Sequence, residues 1–214
     1  MAGSGSESGT GPGARTPKVG VLALQGDVRE HLLVLGELGA EAVPVRRESE
    51  LDAVEGLVIP GGESSVMDKL SRLFGLREPL RRRIAEGMPV YGTCAGLIML
   101  ADRVANPIEG QQTLGGLDVT VRRNAFGSQV ESFETEIVMP ELGERPFHAV
   151  FIRAPSIESA GPGATVLGAL PDGRGVAVEQ GNLLGTSFHP EMTDDYRFHE
   201  RFLERVRARK AAAA

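Results

Sequence analysis

The chain has 214 residues, 41% of them hydrophobic and 24% charged, with a formal net charge of −6, which suits one soluble domain with a substantial core. The acidic balance argues against a general nucleic-acid binder, which presents a basic face, and no apolar run approaches membrane-spanning length. A single cysteine excludes an internal disulfide and, with no signal-peptide pattern in view, agrees with a reducing cytoplasm.

Residues 1–17 hold Gly, Ser, Thr and Pro with almost no large apolar side chain, so a disordered arm is expected there. From Lys18 the pattern changes. Residues 19–24 form a nearly unbroken apolar run, as expected of a parallel strand covered on both faces. Gln25-Gly26-Asp27 ends it, and Asp27 is placed to cap a helix whose Val28, Leu32 and Leu35 keep helical spacing until Gly39. Residues 41–45 and 56–59 read as further strands, the second ending in Pro60-Gly61-Gly62-Glu63-Ser64-Ser65. Two Leu- and Arg-rich helical segments follow, 65–74 and 78–86, broken by Gly75 and closed by Gly87. This alternation predicts an α/β fold: a three-layer, mostly parallel, doubly wound sheet of flavodoxin-like type. After about residue 106 short strands and turns take over, at 117–121, 135–138, 148–152, 165–170, 176–180 and 183–188, which predicts an antiparallel extension in the C-terminal half. The last two flank Gly181-Asn182 and read as a hairpin. Residues 193–210 read as a closing helix with Phe198, Phe202 and Val206 on one face. A single domain is expected over 18–210, with 211–214 as a tail.

The only cysteine lies in Pro89-Val90-Tyr91-Gly92-Thr93-Cys94-Ala95-Gly96, an apolar strand that meets a sharp turn and then a helix-prone run. An isolated cysteine is by default a small buried apolar residue. Bracketing glycines change that reading. G-x-C-x-G is the thiol counterpart of the serine elbow, in which small neighbours let the backbone take a strained corner. A side chain at such a corner stands at a helix N-terminus, where unpaired N–H groups and the dipole favour an anion, the reactive form of a thiol.

Functional groups in open parallel sheets gather at the carboxyl ends of the strands. Gln25, the Gly61-Gly62-Glu63 loop and Cys94 all follow strand ends, and so does His189-Pro190-Glu191. In extended backbone His189 and Glu191 point to one side, so the histidine is placed to take the thiol proton and the glutamate to fix its tautomer. The double glycine reads as a tight turn or as an oxyanion hole. His31 and His199, each within a helical segment, read as surface or packing residues, while His148 starts a strand with no carboxylate in step. No His/Cys cluster has ligand spacing, and neither a metal nor a cofactor is expected.

Six segments together resemble one family. They are Leu24-Gln25-Gly26-Asp27-Val28-Arg29-Glu30-His31, Pro60-Gly61-Gly62-Glu63-Ser64-Ser65, Gly92-Thr93-Cys94-Ala95-Gly96-Leu97, Arg123-Asn124-Ala125-Phe126-Gly127, Phe151-Ile152-Arg153-Ala154-Pro155 and Ser187-Phe188-His189-Pro190-Glu191. The family is that of the glutaminase subunits of pyridoxal 5'-phosphate synthase, within the class I (triad) glutamine amidotransferases. The cysteine elbow and His-Pro-Glu are shared across the class, whereas the other segments are more specific. The match covers Lys18 to about Arg209, with departures at Ala125, where serine is usual, and Ser128, where a basic residue is common.

The resemblance implies that Cys94 attacks the side-chain amide of L-glutamine, with His189 and Glu191 completing the triad. It implies an oxyanion hole from the backbone N–H groups of Gly62 and Ala95, with Gln25 and Gly61 close by. It implies L-glutamine binding by Gly62, Glu63, Ser64, Arg123, Ile152 and Arg153. It also implies a partner, the (β/α)8 synthase subunit, in an assembly of twelve glutaminase and twelve synthase subunits. The free glutaminase would then be poorly active until docking arranges the loop around Gly61 and Gly62. Only about two dozen residues follow Glu191, so the ammonia acceptor is expected on that other polypeptide. Three alternatives stay open: the glutaminase of another class I amidotransferase, a stand-alone cysteine hydrolase of the same fold acting on γ-glutamyl peptides, and a non-catalytic module with a dead pocket.

Overall fold

The apolar runs become strands because helices cover both faces of the sheet they form. The computed structural model describes residues 16–126 and 132–213. The expected arm, apart from its last two residues, lies outside them, as do Gly127 and Ser128. The first half comprises β1 (Lys18–Leu22), α1 (Val28–Glu37), β2 (Glu41–Val45), α2 (Glu48–Asp52), β3 (Gly56–Ile59), α3 (Ser64–Leu73), α4 (Arg77–Ala85), β4 (Val90–Thr93) and α5 (Ala95–Leu100). The second comprises β5 (Ala101–Val104), β6 (Leu117–Arg122), β7 (Ser132–Ile137), β8 (Phe147–Ile152), β9 (Ser156–Ala160), β10 (Thr165–Ala169), β11 (Gly175–Gln180), β12 (Leu183–Thr186) and α6 (Arg197–Ala213).

Among the described residues nine strands run in the order β2-β1-β3-β4-β12-β11-β9-β6-β5, and β10 joins the same sheet through β11. From β2 to β12 every neighbouring pair is parallel. Beyond β12 the pairings turn antiparallel until β5 and β6, which are parallel again. β7 and β8 form a separate antiparallel pair. A parallel sheet with an antiparallel extension is therefore what the chain builds, and the hairpin at Gly181-Asn182 is present.

Alternation along the strands divides the core into two layers. Leu57, Ile59 and Val90 pack with Leu51, Met67, Leu80 and Leu97 of α2 to α5. Val58 and Tyr91, one residue out of step, pack with Leu35 of α1, Phe147 of β8, and Phe198 and Phe202 of α6. Tyr91, Phe198 and Phe202 are fully buried, and burying a large apolar side chain stabilises by about 1.5–3 kcal/mol. No helix among the described residues is long and apolar enough to cross a membrane.

Three elements carry no clear sequence signal. β5 follows α5 without a turn residue, β9 has Ile157 as its one large apolar side chain, and α2 is too short for periodicity. α2 is held instead by Glu50, whose carboxylate accepts the Arg46 and Arg47 N–H groups at 2.6 and 3.2 Å. The closing helix begins at Arg197 rather than 193, because Pro190–Met192 takes a 3-10 turn first. It continues into the alanines to Ala213, in keeping with alanine's helix propensity.

Candidate active site

β4 ends at Thr93 and α5 begins at Ala95, so Cys94 alone makes the corner. Its φ of 48° and ψ of −101° cost a residue with a Cβ about 1–3 kcal/mol. Two features hold it there. The Cys94 N–H donates to the Thr186 carbonyl at 2.8 Å, and the flanking glycines leave room for close backbone approach. A Cβ on Gly92 would lie 2.5 Å from the Gly96 carbonyl carbon, and one on Gly96 would collide with the Ile59 carbonyl oxygen. Asn124 and Arg153, at φ 46° and 44°, are the other non-glycine residues with positive φ among those described. All three line one cavity of about 270 Å³, a size for a small polar molecule.

His189 reaches that cavity from the end of β12. Its Nδ1 lies 2.8 Å from Glu191 Oε1 and 3.4 Å from Asp27 Oδ2, which leaves Nε2 for Cys94, its other hydrogen-bond partner. Burial disfavours the imidazolium, but Asp27, Cys94 and Glu191 outweigh it and push the His189 pKa up to about 12. Glu191 is shifted upward by desolvation, with His189 opposing. Asp27 is shifted downward, chiefly by its hydrogen bond to His189. The sequence reading needs two corrections here. His189 and Glu191 meet across the 3-10 turn rather than along extended backbone. Asp27 begins α1 without capping it, its carboxylate turned to His189 instead.

The rest of the wall comes from the loop after β3 and from the ends of β6 and β8. Gly62, at φ 145°, sits where a Cβ would meet Gln25 Oε1 at 2.5 Å. That amide oxygen accepts the Glu63 N–H at 2.8 Å. The Glu63 carboxylate in turn accepts from Arg123 at 3.0 Å and from the Ser65 hydroxyl at 3.2 Å. Arg123 is only 8% exposed, and a guanidinium has further donors to offer a second carboxylate. Ser64, Ile152 and Arg153 also line the cavity, the Ser64 hydroxyl accepting from Gln111 Nε2 at 2.9 Å. Ala95 lies buried behind Cys94, and the Gly61 carbonyl accepts the Asp27 N–H at 3.3 Å. The Cys94 sulfur is 3.9 Å from the Ile152 carbonyl oxygen.

Asp27, Asn124 and Ile98 line the same cavity and were not singled out from sequence. Asp27 read as a cap, and nothing in composition marks a backbone that will bend to positive φ. Among the described residues Asp27, His189 and Glu191 are the one cluster with donor atoms close enough, within 4.8 Å, to hold a cation. A cation there would compete for the Nδ1 that both carboxylates already contact, so the arrangement fits acid–base work. His31 and His199 are wholly buried and bonded to each other. His148, contrary to the sequence reading, is flanked by Glu134 and Glu136 of β7 at 2.8 and 2.9 Å.

A sequence model of the SNO glutamine amidotransferase family matches residues 21–208. The chain is 70% identical over 196 residues to pyridoxal 5'-phosphate synthase subunit PdxT of Leifsonia xyli subsp. xyli, covering 92% of this chain and 99% of that one. It is 58% identical over 197 residues to the subunit of the same name from Streptomyces coelicolor, covering 92% and 97%. A solved structure of a glutamine amidotransferase aligns with a TM-score of 0.82 at 49% identity, over 88% of this chain and 98% of the other. The PurLQS structure from Thermotoga maritima, at 17% identity, shares the fold with a TM-score of 0.64 over 89% and 99%.

Proposed function

The chain belongs to the SNO glutamine amidotransferase family, and from that membership we propose that it hydrolyses L-glutamine to L-glutamate and ammonia for pyridoxal 5'-phosphate synthesis. Cys94, His189 and Glu191 carry the reaction. What supports this reading is that His189 and Cys94 line one small cavity, with Glu191 2.8 Å from His189 on the side away from it.

The Cys94 thiolate attacks the side-chain amide carbon, and the negative charge that develops on oxygen is met by the N–H groups of Gly62 and Ala95. His189 carries the thiol proton to the departing nitrogen, which leaves as ammonia. Water then attacks the γ-glutamyl thioester, His189 takes its proton, and glutamate departs with the thiol restored. Glu191, aided by Asp27, holds the imidazole in the tautomer that presents Nε2 to sulfur. Arg123 and Arg153 receive the α-carboxylate of glutamine, and Gly62, Glu63, Ser64 and Ile152 complete its pocket.

Ammonia released into water is protonated and lost as a nucleophile, so it has to reach its acceptor under cover. The curated relatives are named as subunits of a synthase, which supports a separate synthase subunit as the partner. We place one glutaminase on each (β/α)8 synthase subunit, twelve of each in the cytoplasm, with docking arranging the Gly61-Gly62 loop.

The test is glutamine hydrolysis with and without the synthase subunit, alongside Cys94→Ala. The substitution is expected to abolish hydrolysis while fold and docking persist. Hydrolysis by Cys94→Ala at the wild-type rate overturns the nucleophile assignment, and full turnover by the isolated chain, unchanged by synthase, removes the gating.

A further inference from the structure

Glu191 has a second oxygen, and the chemistry above does not use it. Oε1 takes the His189 contact, while Oε2 is turned inward, shut off from water and without a close hydrogen bond among the described residues. His31 Nε2 lies 3.5 Å from it, with both side chains fully enclosed. The same Nε2 is 3.1 Å from the hydroxyl of Thr93, the residue before the nucleophile. On its other side, His31 Nδ1 is 3.0 Å from His199 Nε2. His199 Nδ1 has no hydrogen-bond partner among the described residues. A line of polar groups thus runs from α6 through α1 to the back of the triad, through the buried interior.

Burial keeps both rings neutral: the His31 pKa falls well below its ordinary value and that of His199 to about 3. Two neutral rings share one proton across the 3.0 Å contact, and only one arrangement of it is consistent. With the proton on His31 Nδ1, the His199 Nδ1–H becomes a buried donor without an acceptor, and His31 turns a lone pair toward the anionic Oε2. With the proton on His199 Nε2, His199 leaves only a lone pair unmatched, the milder loss. His31 then carries its hydrogen on Nε2, directed at Thr93 and Oε2.

We propose that His31, oriented by His199, is a positioning residue that pins Glu191 through Oε2, so that Oε1 stays on His189 Nδ1. This rests on Glu191 being the triad carboxylate. A carboxylate anchored at one oxygen can rotate about its own bond, and rotation would swing Oε1 away from the imidazole. A donor on the second oxygen fixes the plane, as partners behind metal-binding histidines fix theirs.

The test uses the full chain assayed with the synthase subunit, comparing His31→Leu, His31→Gln, Glu191→Gln and the double variant His31→Leu/Glu191→Gln. Circular dichroism and synthase binding serve as fold controls. His31→Leu is expected to lower kcat about tenfold with KM for glutamine nearly unchanged. His31→Gln, whose amide can put an N–H near the position of the imidazole Nε2–H, recovers most of that loss. In the Glu191→Gln background, His31→Leu costs little more, since its effect runs through Glu191. Histidine-labelled nitrogen spectra of the unmodified chain give a reading that does not depend on the variants folding: both rings neutral and protonated on Nε2. A wild-type kcat for folded His31→Leu, an equal loss in both backgrounds, or a His31 protonated on Nδ1 each overturns the proposal while leaving the triad standing. A wild-type kcat for Glu191→Gln removes the triad reading itself and the proposal with it.

Discussion

Gly92→Ala probes the corner through space alone, because Gly92 does not have a positive φ. The added Cβ would stand 2.5 Å from both the carbon and the oxygen of the Gly96 carbonyl and 2.8 Å from the Leu97 nitrogen, all of them backbone. A close C···O contact needs about 3.3 Å, so α5 must retreat from β4 by about 0.8 Å, carrying Cys94 with it. Overpacking of this kind costs about 3 kcal/mol, or a fall in Tm of about 6–12 °C for a domain of this size. A displacement near 1 Å at the reacting sulfur lowers turnover by about 100-fold. Gly36→Ala is the matched control: it lies in α1 with nothing within 4 Å of a new Cβ, and it should gain about 0.5–1 kcal/mol from helix propensity. Urea unfolding and glutamine hydrolysis in the synthase complex read both effects. A Gly92→Ala protein as stable and as active as Gly36→Ala would refute the reasoning.

Arg123→Lys keeps the charge but loses the planar pair of donors, so KM for glutamine should rise about tenfold with kcat within about threefold; unchanged KM takes Arg123 out of the binding site. The buried histidines set an acid limit on stability. Above pH 6.5 their neutrality has no linkage effect. Below it the unfolded chain binds protons that the folded rings refuse, and stability falls by about 1.4 kcal/mol per pH unit for each ring until the folded pKa is reached, about 3 for His199. His189 adds no slope in this window, because its pKa is raised and both states are protonated below 6.5. Urea titrations at pH 7, 6 and 5 should therefore show His199→Gln losing stability less steeply than the unmodified chain, and parallel pH curves would contradict the linkage.

The parallel half of the fold was legible because its central strands are short apolar runs closed by a turn residue, as at residues 56–59 before Pro60-Gly61-Gly62. The corner was legible too, since Gly92 and Gly96 are glycines for want of room, and that want is written into the residue type. What stayed hidden depends on distant partners. Asp27 looked like a cap until the loop from β12 brought His189 within 3.4 Å. His31 and His199 lie far apart in sequence, and only the packing of α6 over β4 turns two helical histidines into a bonded pair. The carboxylates beside His148 come from the antiparallel register of β7 with β8, which no local pattern announces. β9 carries no local signal because its pairing rests on backbone hydrogen bonds to β6 rather than on apolar content.

β12 is the last strand to be synthesised among the described residues, yet it sits in the middle of the sheet, between β4 and β11. Throughout the second half of translation β4 therefore has an unpaired flank, and the Cys94 amide lacks the Thr186 carbonyl that later steadies it. A ribosome-bound chain has the sulfur of Cys94 long before it has the imidazole of His189. The same delay exposes a ready-made docking edge to other nascent chains, and a chaperone that shields it should matter most in the interval before residues 183–186 emerge.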